Sequence, residues 1–349
     1  MVHTTRNTNF REKIFLEVEK TSYLYYYYIV RSDKMEETKD YVLPSQIPYA
    51  NFNFYYAAMR TRYTEEFITK CGYNRLLSYV NDRPIIEKHC QNGRPLFVDS
   101  GAFSAMTRGI DISMDDYIEW LNTYSQPMEK FCCWDVIPAG ETKPETSAEQ
   151  TWINFLYMEE RVKEPHKLVY CFHYGEDVKY LRQALEHGCK EIALGGLVGK
   201  TTKQRDEFFS KVEHEFDDYD VTIHAFGMTQ IDLLRKYTFI HSADSTSWLW
   251  PLKFTEAEFK TIPKVYMSDK HPEKPYHINN ITDEQYFAIE DELGVYDFKP
   301  QDIYGVGVGR RNREVWQVLF WQEKFFKVSG GYFKDIKECD GFKEECLDE

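Results

Sequence analysis

Long apolar runs are missing from this chain of 349 residues. No stretch approaches the roughly 20 apolar residues that a membrane-spanning helix needs. The opening residues, Met1-Val2-His3-Thr4, lack the apolar segment of a secretory signal. Together these absences predict a soluble, cytoplasmic protein with no membrane partner. Cysteine pairing is missing too: the eight cysteines, at 71, 90, 132, 133, 171, 189, 339 and 346, include no Cys-x-x-Cys pair and no disulfide-like framework. Cys132, Cys133 and Cys171 sit in apolar, strand-like runs, where cysteine serves as a small apolar residue, so reduced thiols are expected. Positive charge is in deficit, 43 Lys and Arg against 57 Asp and Glu, a formal net charge of −14. That excludes a surface gripping phosphate backbones indiscriminately, which needs a basic field. It leaves room for local patches, with Arg108, Lys200 and Lys203 as the candidate nucleic-acid contacts and Arg205, Arg310, Arg311 and Arg313 as further cations. Taken singly, each also suits a solvated helix or loop.

What the chain does have is a repeat of short apolar runs ending in polar residues or glycine. Strands are predicted over 95–99, 131–137, 167–173, 191–197, 221–226 and 239–244, with tips at Asp99, Asp135, His173, Gly195-Gly196, Ala225-Phe226-Gly227 and Asp244. Between them, 114–124, 146–162, 177–187, 203–216 and 231–237 carry apolar residues three and four apart and read as crossover helices. Ser113 before Met114-Asp115-Asp116, and Thr201 or Thr202 after Gly199, are N-cap signals. Such alternation implies a parallel sheet covered by helices, and chemistry collected at the C-terminal tips of its strands is the habit of a (β/α)8 barrel.

Closing that barrel takes two more strands, for which 22–30, with its run of tyrosines, and 51–56 are the candidates; 73–90 reads as a helix leading into the Asp99 strand. The expected division is a barrel over 1–249 and a C-terminal appendage over 250–349, with helices at 282–293 and 313–328 and an acidic tail from Lys337. An amphipathic stripe on the second helix suits core packing.

In order and spacing, Asp99-Ser100-Gly101-Ala102-Phe103-Ser104, Trp134-Asp135, Leu194-Gly195-Gly196-Leu197-Val198-Gly199 and Gly227 leading to Asp244 resemble the tRNA-guanine transglycosylases over about residues 95–245. That family uses a modified (β/α)8 barrel to exchange guanine in a polynucleotide for a 7-deazaguanine. The resemblance implies Asp244 as the nucleophile that takes C1′ and Asp99 as the general acid and base between departing and entering purines, roles that a retaining exchange requires of two carboxyl groups. Asp135 falls where the family holds the guanine edge, Gly195 and Gly196 where backbone approaches the base, and Phe103 where a ring stacks. His224 falls opposite, at an apolar position of relatives, and His173 replaces a glutamine. Three of these residues have a plainer alternative: Asp99 and Asp244 as helix or turn caps, His173 as a core histidine satisfied by backbone.

Relatives that act on tRNA share a Cys-x-Cys-x-x-Cys site with a distant histidine that holds structural zinc. Here Cys339 and Cys346 stand alone, so no zinc subdomain, no metal and no cofactor are expected. This departure makes the chain more similar to the DNA-modifying 7-deazaguanine transglycosylases, with DNA favoured over tRNA as partner, a preQ0-type base as co-substrate and a homodimer allowed. A duplex target would have to leave the stack to reach a barrel mouth. Two other classes stay open, a barrel hydrolase acting on small nucleosides or glycosides and a silent paralogue that binds without catalysis.

Overall fold

A computed structural model describes residues 52–325 apart from 59–60, 94, 111–112 and 139–141. Eight strands, β1 (Asn53–Ala57), β2 (Arg75–Ser78), β3 (Phe97–Asp99), β4 (Lys130–Cys132), β5 (Leu168–His173), β6 (Glu191–Gly195), β7 (Thr222–Ala225) and β8 (Ser242–Ser245), close into a barrel in sequence order. Every neighbouring pair is parallel, and β1 closes on β8 with Tyr55 opposite Asp244. The helices between them are α1 (Arg62–Lys70), α2 (Tyr79–Gln91), α3 (Ala102–Arg108), α4 (Met114–Tyr124), α5 (Pro144–Glu159), α6 (Val178–His187), α7 (Thr202–Val212) and α8 (Ile231–Lys236). The chain is therefore a (β/α)8 barrel. Ser113 caps α4 through the Asp116 N–H, and Thr201 caps α7 in a reciprocal box with Gln204, as the sequence signals require.

Two expectations change at the N-terminal side. The second strand comes from within 73–90, whose first part is β2 and only the remainder α2. Residues 22–30 lie outside the described residues, and the eight strands close without them. The helical reading of Arg75-Leu76-Leu77-Ser78 failed because Leu and Arg favour helices while tertiary pairing decides for a short buried strand. Arg75 hides the strand signal, yet it is only 3% exposed. Its guanidinium pairs with Glu65 of α1 and donates to the carbonyls of Tyr56 and Ala58, while His89 Nε2 lies 2.7 Å from the same Glu65 carboxylate.

A third difference bears on the site. The run expected as a strand over 131–137 pairs only through Cys132, and Asp135 stands in the loop beyond β4. Helix α5 holds that loop: Asn154 Nδ2 donates to the Trp134 carbonyl at 2.8 Å, and Thr151 Oγ1 accepts the Val136 N–H at 2.9 Å. Both side chains are buried.

Inside the barrel, Tyr55, Phe97, His224 and Phe226 pack as a layer, with ring centroids 4.9 Å apart for both Phe97–His224 and His224–Phe226. Lys130 Nζ lies 5.0 Å from the Phe97 ring and 3.2 Å from Glu191, while Tyr55 donates its hydroxyl to Glu129. Outside, Phe54 stacks on Phe325 with centroids 4.2 Å apart, and the Tyr56 hydroxyl donates to the Val318 carbonyl at 2.7 Å.

The described residues form two compact units. One is the barrel with residues 317–325, the last turns of α11 (Val308–Phe325), counted after a short α9 (Trp250–Lys253) and α10 (Asp283–Gly294). The other, over 251–316, holds an antiparallel pair of short strands, β9 (Glu256–Ala257) and β10 (Val265–Tyr266), together with α10, which Thr282 caps in a box with Gln285. Phe259 stacks on Trp316 in its core with centroids 5.4 Å apart. None of the helices among the described residues is long and apolar enough to cross a membrane.

Because Arg75 neutralises a buried Glu65 and ties α1, β1 and β2 together, Arg75→Ala should lower the unfolding free energy by about 3–5 kcal/mol, the usual cost of stranding one partner of a buried pair. Urea denaturation of the two proteins measures this; a loss below about 1 kcal/mol would mean that the pair contributes no more than a surface bridge does.

Candidate active site at the barrel mouth

Asp99 ends β3, and its carboxylate Oδ2 accepts the Gly101 N–H at 3.1 Å. This is a turn contact at the strand tip, made while the first residue of α3 is served by Ser100, whose Oγ accepts the Ala102 N–H at 3.2 Å. Burial, reinforced by the charges of Asp135 and Asp244 and only partly offset by the Gly101 N–H, pushes the Asp99 carboxyl up to about 8. At neutral pH it is a carboxylic acid carrying a proton, flanked by two other aspartates.

Asp244 lies within β8, and the structure gives it two donors on one oxygen. Oδ1 accepts the Gly227 N–H at 2.9 Å and lies 3.2 Å from His224 Nε2, while His224 Nδ1 lies 2.9 Å from Ser242 Oγ. Burial pulls His224 below its ordinary value against the upward pull of Asp244, leaving a neutral ring with one proton. A carboxylate only accepts, so that proton belongs on Nε2 and the Ser242 hydroxyl donates to Nδ1. Oδ2 of Asp244 stands outside both bonds. Asp244 does not take the cap role that the sequence allowed: the following short helix starts from Thr246 without a side-chain cap, and the Ser247 N–H goes to Ser245 Oγ at 2.9 Å.

Asp135 is held from both sides, with Ser100 Oγ donating to Oδ1 at 2.7 Å and His173 Nε2 at 3.0 Å from Oδ2. On the other side of the ring, His173 Nδ1 lies 3.2 Å from Glu176 Oε1, and Glu176 Oε2 accepts the His173 N–H at 2.7 Å. Ser147 of α5 donates to Glu176 Oε1 at 3.0 Å. Burial opposes charge on His173, but the hydrogen bonds and charges of Asp135 and Glu176 overcome it and push the imidazole up to about 10. Both ring nitrogens face acceptors, so both carry protons.

Gly195, opposite His173 in the β5–β6 ladder, is required by this ring: a Cβ there would stand 2.6 Å from His173 Cδ2. At Gly196 the backbone has φ +71°, and a Cβ would meet the Tyr174 nitrogen at 3.1 Å.

The structure thus brings Asp99, Asp135, His173, Gly195, Gly196, His224 and Asp244 to the strand tips of one barrel. Two histidines take tasks different from those expected. His224 is not an open face for a base, since its ring is enclosed by Phe97, Tyr55 and Phe226 and its nitrogens serve Ser242 and Asp244. His173 is a buried ring satisfied by two carboxylates, not by backbone. Phe103 occupies the first turn of α3 and is 54% exposed. Of the expected nucleic-acid contacts, Arg108 donates to Asn81 Oδ1 at 2.8 Å, Lys200 Nζ lies 4.5 Å from the Tyr174 ring, and Lys203 lies 3.8 Å from Glu207.

Sequence reasoning missed Glu176, Ser147, Ser100 and Ser242. A signal existed for Glu176: the run His173-Tyr174-Gly175-Glu176 places a carboxylate one turn past a strand-tip histidine, with Gly175 at φ +94° to reverse the chain. Nothing in the sequence marks Ser147, which comes from the first turn of α5 in the crossover between β4 and β5. Among the described residues no cluster of His, Cys, Asp and Glu is arranged to hold a metal ion, and the six described cysteines are free. Cys339 and Cys346 lie outside the described residues.

No protein-family model matches the chain, and no curated protein matches it.

The raised Asp99 has a thermodynamic signature. From about pH 4 to about pH 8 the native state holds a proton that the unfolded chain has released, so stability falls as pH rises through that window. Asp99→Asn removes this dependence. Its melting temperature should exceed that of the wild type at pH 8 and converge with it near pH 4; a variant less stable at both values would mean that Asp99 is a structural carboxylate.

Proposed function

We propose that the protein is a base-exchanging transglycosylase that replaces guanine in a polynucleotide, DNA in preference to tRNA, with a 7-deazaguanine of the preQ0 type. The observation that carries this reading is the pairing of two carboxyl groups in opposite conditions at one barrel mouth: Asp99 pushed up to about 8, and Asp244 accepting N–H donors on Oδ1. A carboxyl group that keeps its proton beside one whose oxygen is held by N–H donors suits acid and nucleophile roles.

In the proposed reaction Asp244 Oδ2 attacks C1′ as the bond from C1′ to the guanine nitrogen breaks, and the Asp99 proton passes to the departing purine. The Gly227 N–H and His224 Nε2 keep Oδ1 in place while Oδ2 forms the glycosyl ester. The entering base then returns a proton to Asp99 and attacks C1′, releasing the Asp244 carboxylate. Atoms and protons balance, and each carboxyl group ends as it began. Asp135 keeps lone pairs on both oxygens after Ser100 and His173 are served, as acceptors for the N1–H and 2-amino group of a guanine-type edge. Gly195 and Gly196 leave that edge open to close approach. A target in duplex DNA must be flipped out, at a cost of a few kcal/mol. The exposed Phe103 and the half-buried Lys200 are the candidates for contacts to the flanking strand.

The test is exchange of labelled guanine or 7-deazaguanine into DNA and into tRNA, with denaturing electrophoresis to trap a covalent adduct. Wild type should exchange and form the adduct, and Asp244→Asn should do neither while melting as a folded protein. Exchange should decline as pH rises through about 8, where Asp99 loses the proton that it donates. An active Asp244→Asn variant would sink the assignment. Exchange into tRNA alone would move the substrate to RNA, and turnover of free nucleosides would replace transfer by hydrolysis.

A further inference from the structure

Glu176 is the most enclosed carboxylate at this end of the barrel, with its side chain 0% exposed, and the exchange steps leave it without a task. Every bond that it makes is directed at His173 or at the residue that holds it in place. Oε1 reaches His173 Nδ1 and takes the Ser147 hydroxyl, and Oε2 takes the His173 backbone N–H. The ring then spends its second nitrogen on Asp135. His173 therefore has no free polar atom to offer a ligand, and its influence on one must pass through Asp135.

We propose that Glu176 is a positioning residue: acting through His173, it sets the direction in which Asp135 presents its remaining lone pairs to a ligand edge bearing two N–H donors. The chain of contacts runs Ser147, Glu176, His173, Asp135, and Ser100 closes it from the opposite side. Gly195 allows the imidazole to lie flat across the ladder, since any side chain at that position would collide with the ring. With the ring doubly protonated, Nε2–H is a charged donor that fixes one Asp135 oxygen; a neutral ring could place its single proton on Nδ1 and leave two acceptors facing each other at Nε2 and Oδ2. Glu176 and Asp135 exclude that state together: with a carboxylate at each ring nitrogen, only the doubly protonated imidazole offers both of them a donor, and the charge of Glu176 helps to hold the second proton.

The titratable groups that bear on His173 are few. Asp135 faces it from the loop after β4 and Glu176 from the turn after β5, while β6 offers only Gly195. Asp99 of β3 faces Asp135 in turn, and Tyr170, on β5 itself, feels the charge of Glu176. No cation other than His173 lies among these groups. Removing the Glu176 charge thus leaves a buried imidazole with one carboxylate partner.

The functional consequence rests on the base-exchange reading, but the relay itself does not, and two measurements keep them apart. The first is long-range proton–nitrogen correlation of the His173 ring without ligand. In wild type both nitrogens should carry protons through neutral pH, and in Glu176→Gln the ring should titrate within the ordinary histidine range. A neutral His173 in the wild type, or an unchanged titration in Glu176→Gln, overturns the proposal, and the wild-type arm decides even where the variant does not fold. The second is calorimetric binding of guanine and 7-cyano-7-deazaguanine. Between about pH 5.5 and about pH 7.5, below the range in which Asp99 titrates, wild-type affinity should be flat, while that of Glu176→Gln should fall by about tenfold.

In a His173→Gln background, where an uncharged amide replaces the ring, Glu176→Gln should add no pH dependence. A merely structural Glu176 would cost affinity equally in both backgrounds, and that result also overturns the proposal. Absence of base binding by a wild type that shows the doubly protonated ring would count against base exchange while upholding the relay.

Discussion

Three aspartates delivered to one end of a barrel repel each other, and the mouth is organised around reducing that repulsion. One solution is to withhold a charge: Asp99 keeps its proton to about 8 because burial and two neighbouring carboxyl groups penalise the anion. Another is to insert a cation, which His173 becomes between Asp135 and Glu176. The last is to supply dipolar donors, as the Gly227 N–H and a neutral His224 do at Asp244. Three acids of one residue type thus acquire three different environments, which is the condition for giving them three different tasks.

Those environments depend on the barrel beneath them. His224 can aim Nε2 at Asp244 only because Phe97, Tyr55 and Phe226 pack around its ring, and Ser242, two residues before Asp244 on β8, presents a hydroxyl to its other nitrogen. Because alternate residues of a strand point the same way, Ser242 and Asp244 face the ring as a pair. Lower in the barrel, Lys130 is set over the Phe97 ring and paired with Glu191, and the opposed charges of Lys130 and Glu129 are felt at His224 above them. The tip of β4 is the exception. Its ladder ends before Asp135, and α5 replaces the missing strand bonds with Asn154 and Thr151.

The alternation of apolar runs and helical spacing made the barrel legible from Asp99 to Asp244, and the helix caps at Ser113 and Thr201 were legible with it. Strand β2 was not, because a charged residue opens it and its leucines equally suit a helix; only the Glu65 carboxylate of α1 explains how Arg75 can be buried there. At the site, the strand-tip residues could be read because their chemistry stands at the end of an apolar run. Their partners could not, since a serine in the first turn of a helix, as Ser147 is in α5, has no local mark of a role toward a distant strand tip. The two histidines could be placed but not understood, because a ring's task depends on what faces each nitrogen, and those groups lie 3 to 38 residues away in sequence.

Buried charge by itself is a weak argument for function, since ion pairs also serve as structural ties, and the same chain supplies a control. Around Arg75 the charges balance: one guanidinium and one histidine close on Glu65, and the remaining donors go to strand carbonyls. Its one carboxylate is fully matched by cations, although His89 Nδ1 stays buried without a partner among the described residues. At the mouth, Asp99, Asp135, Glu176 and Asp244 face a single imidazolium, because His224 is held neutral. A fold seeking only stability would do better with apolar side chains there, a replacement that is often neutral or stabilising by about 1–4 kcal/mol. The surplus of acceptors, with one removable proton on Asp99, is what the proposed function uses, since it would suit a ligand that brings several N–H donors and exchanges a proton. A guanine-type base that leaves and is replaced meets both requirements, which is why the unbalanced cluster, and not the barrel, carries the functional argument.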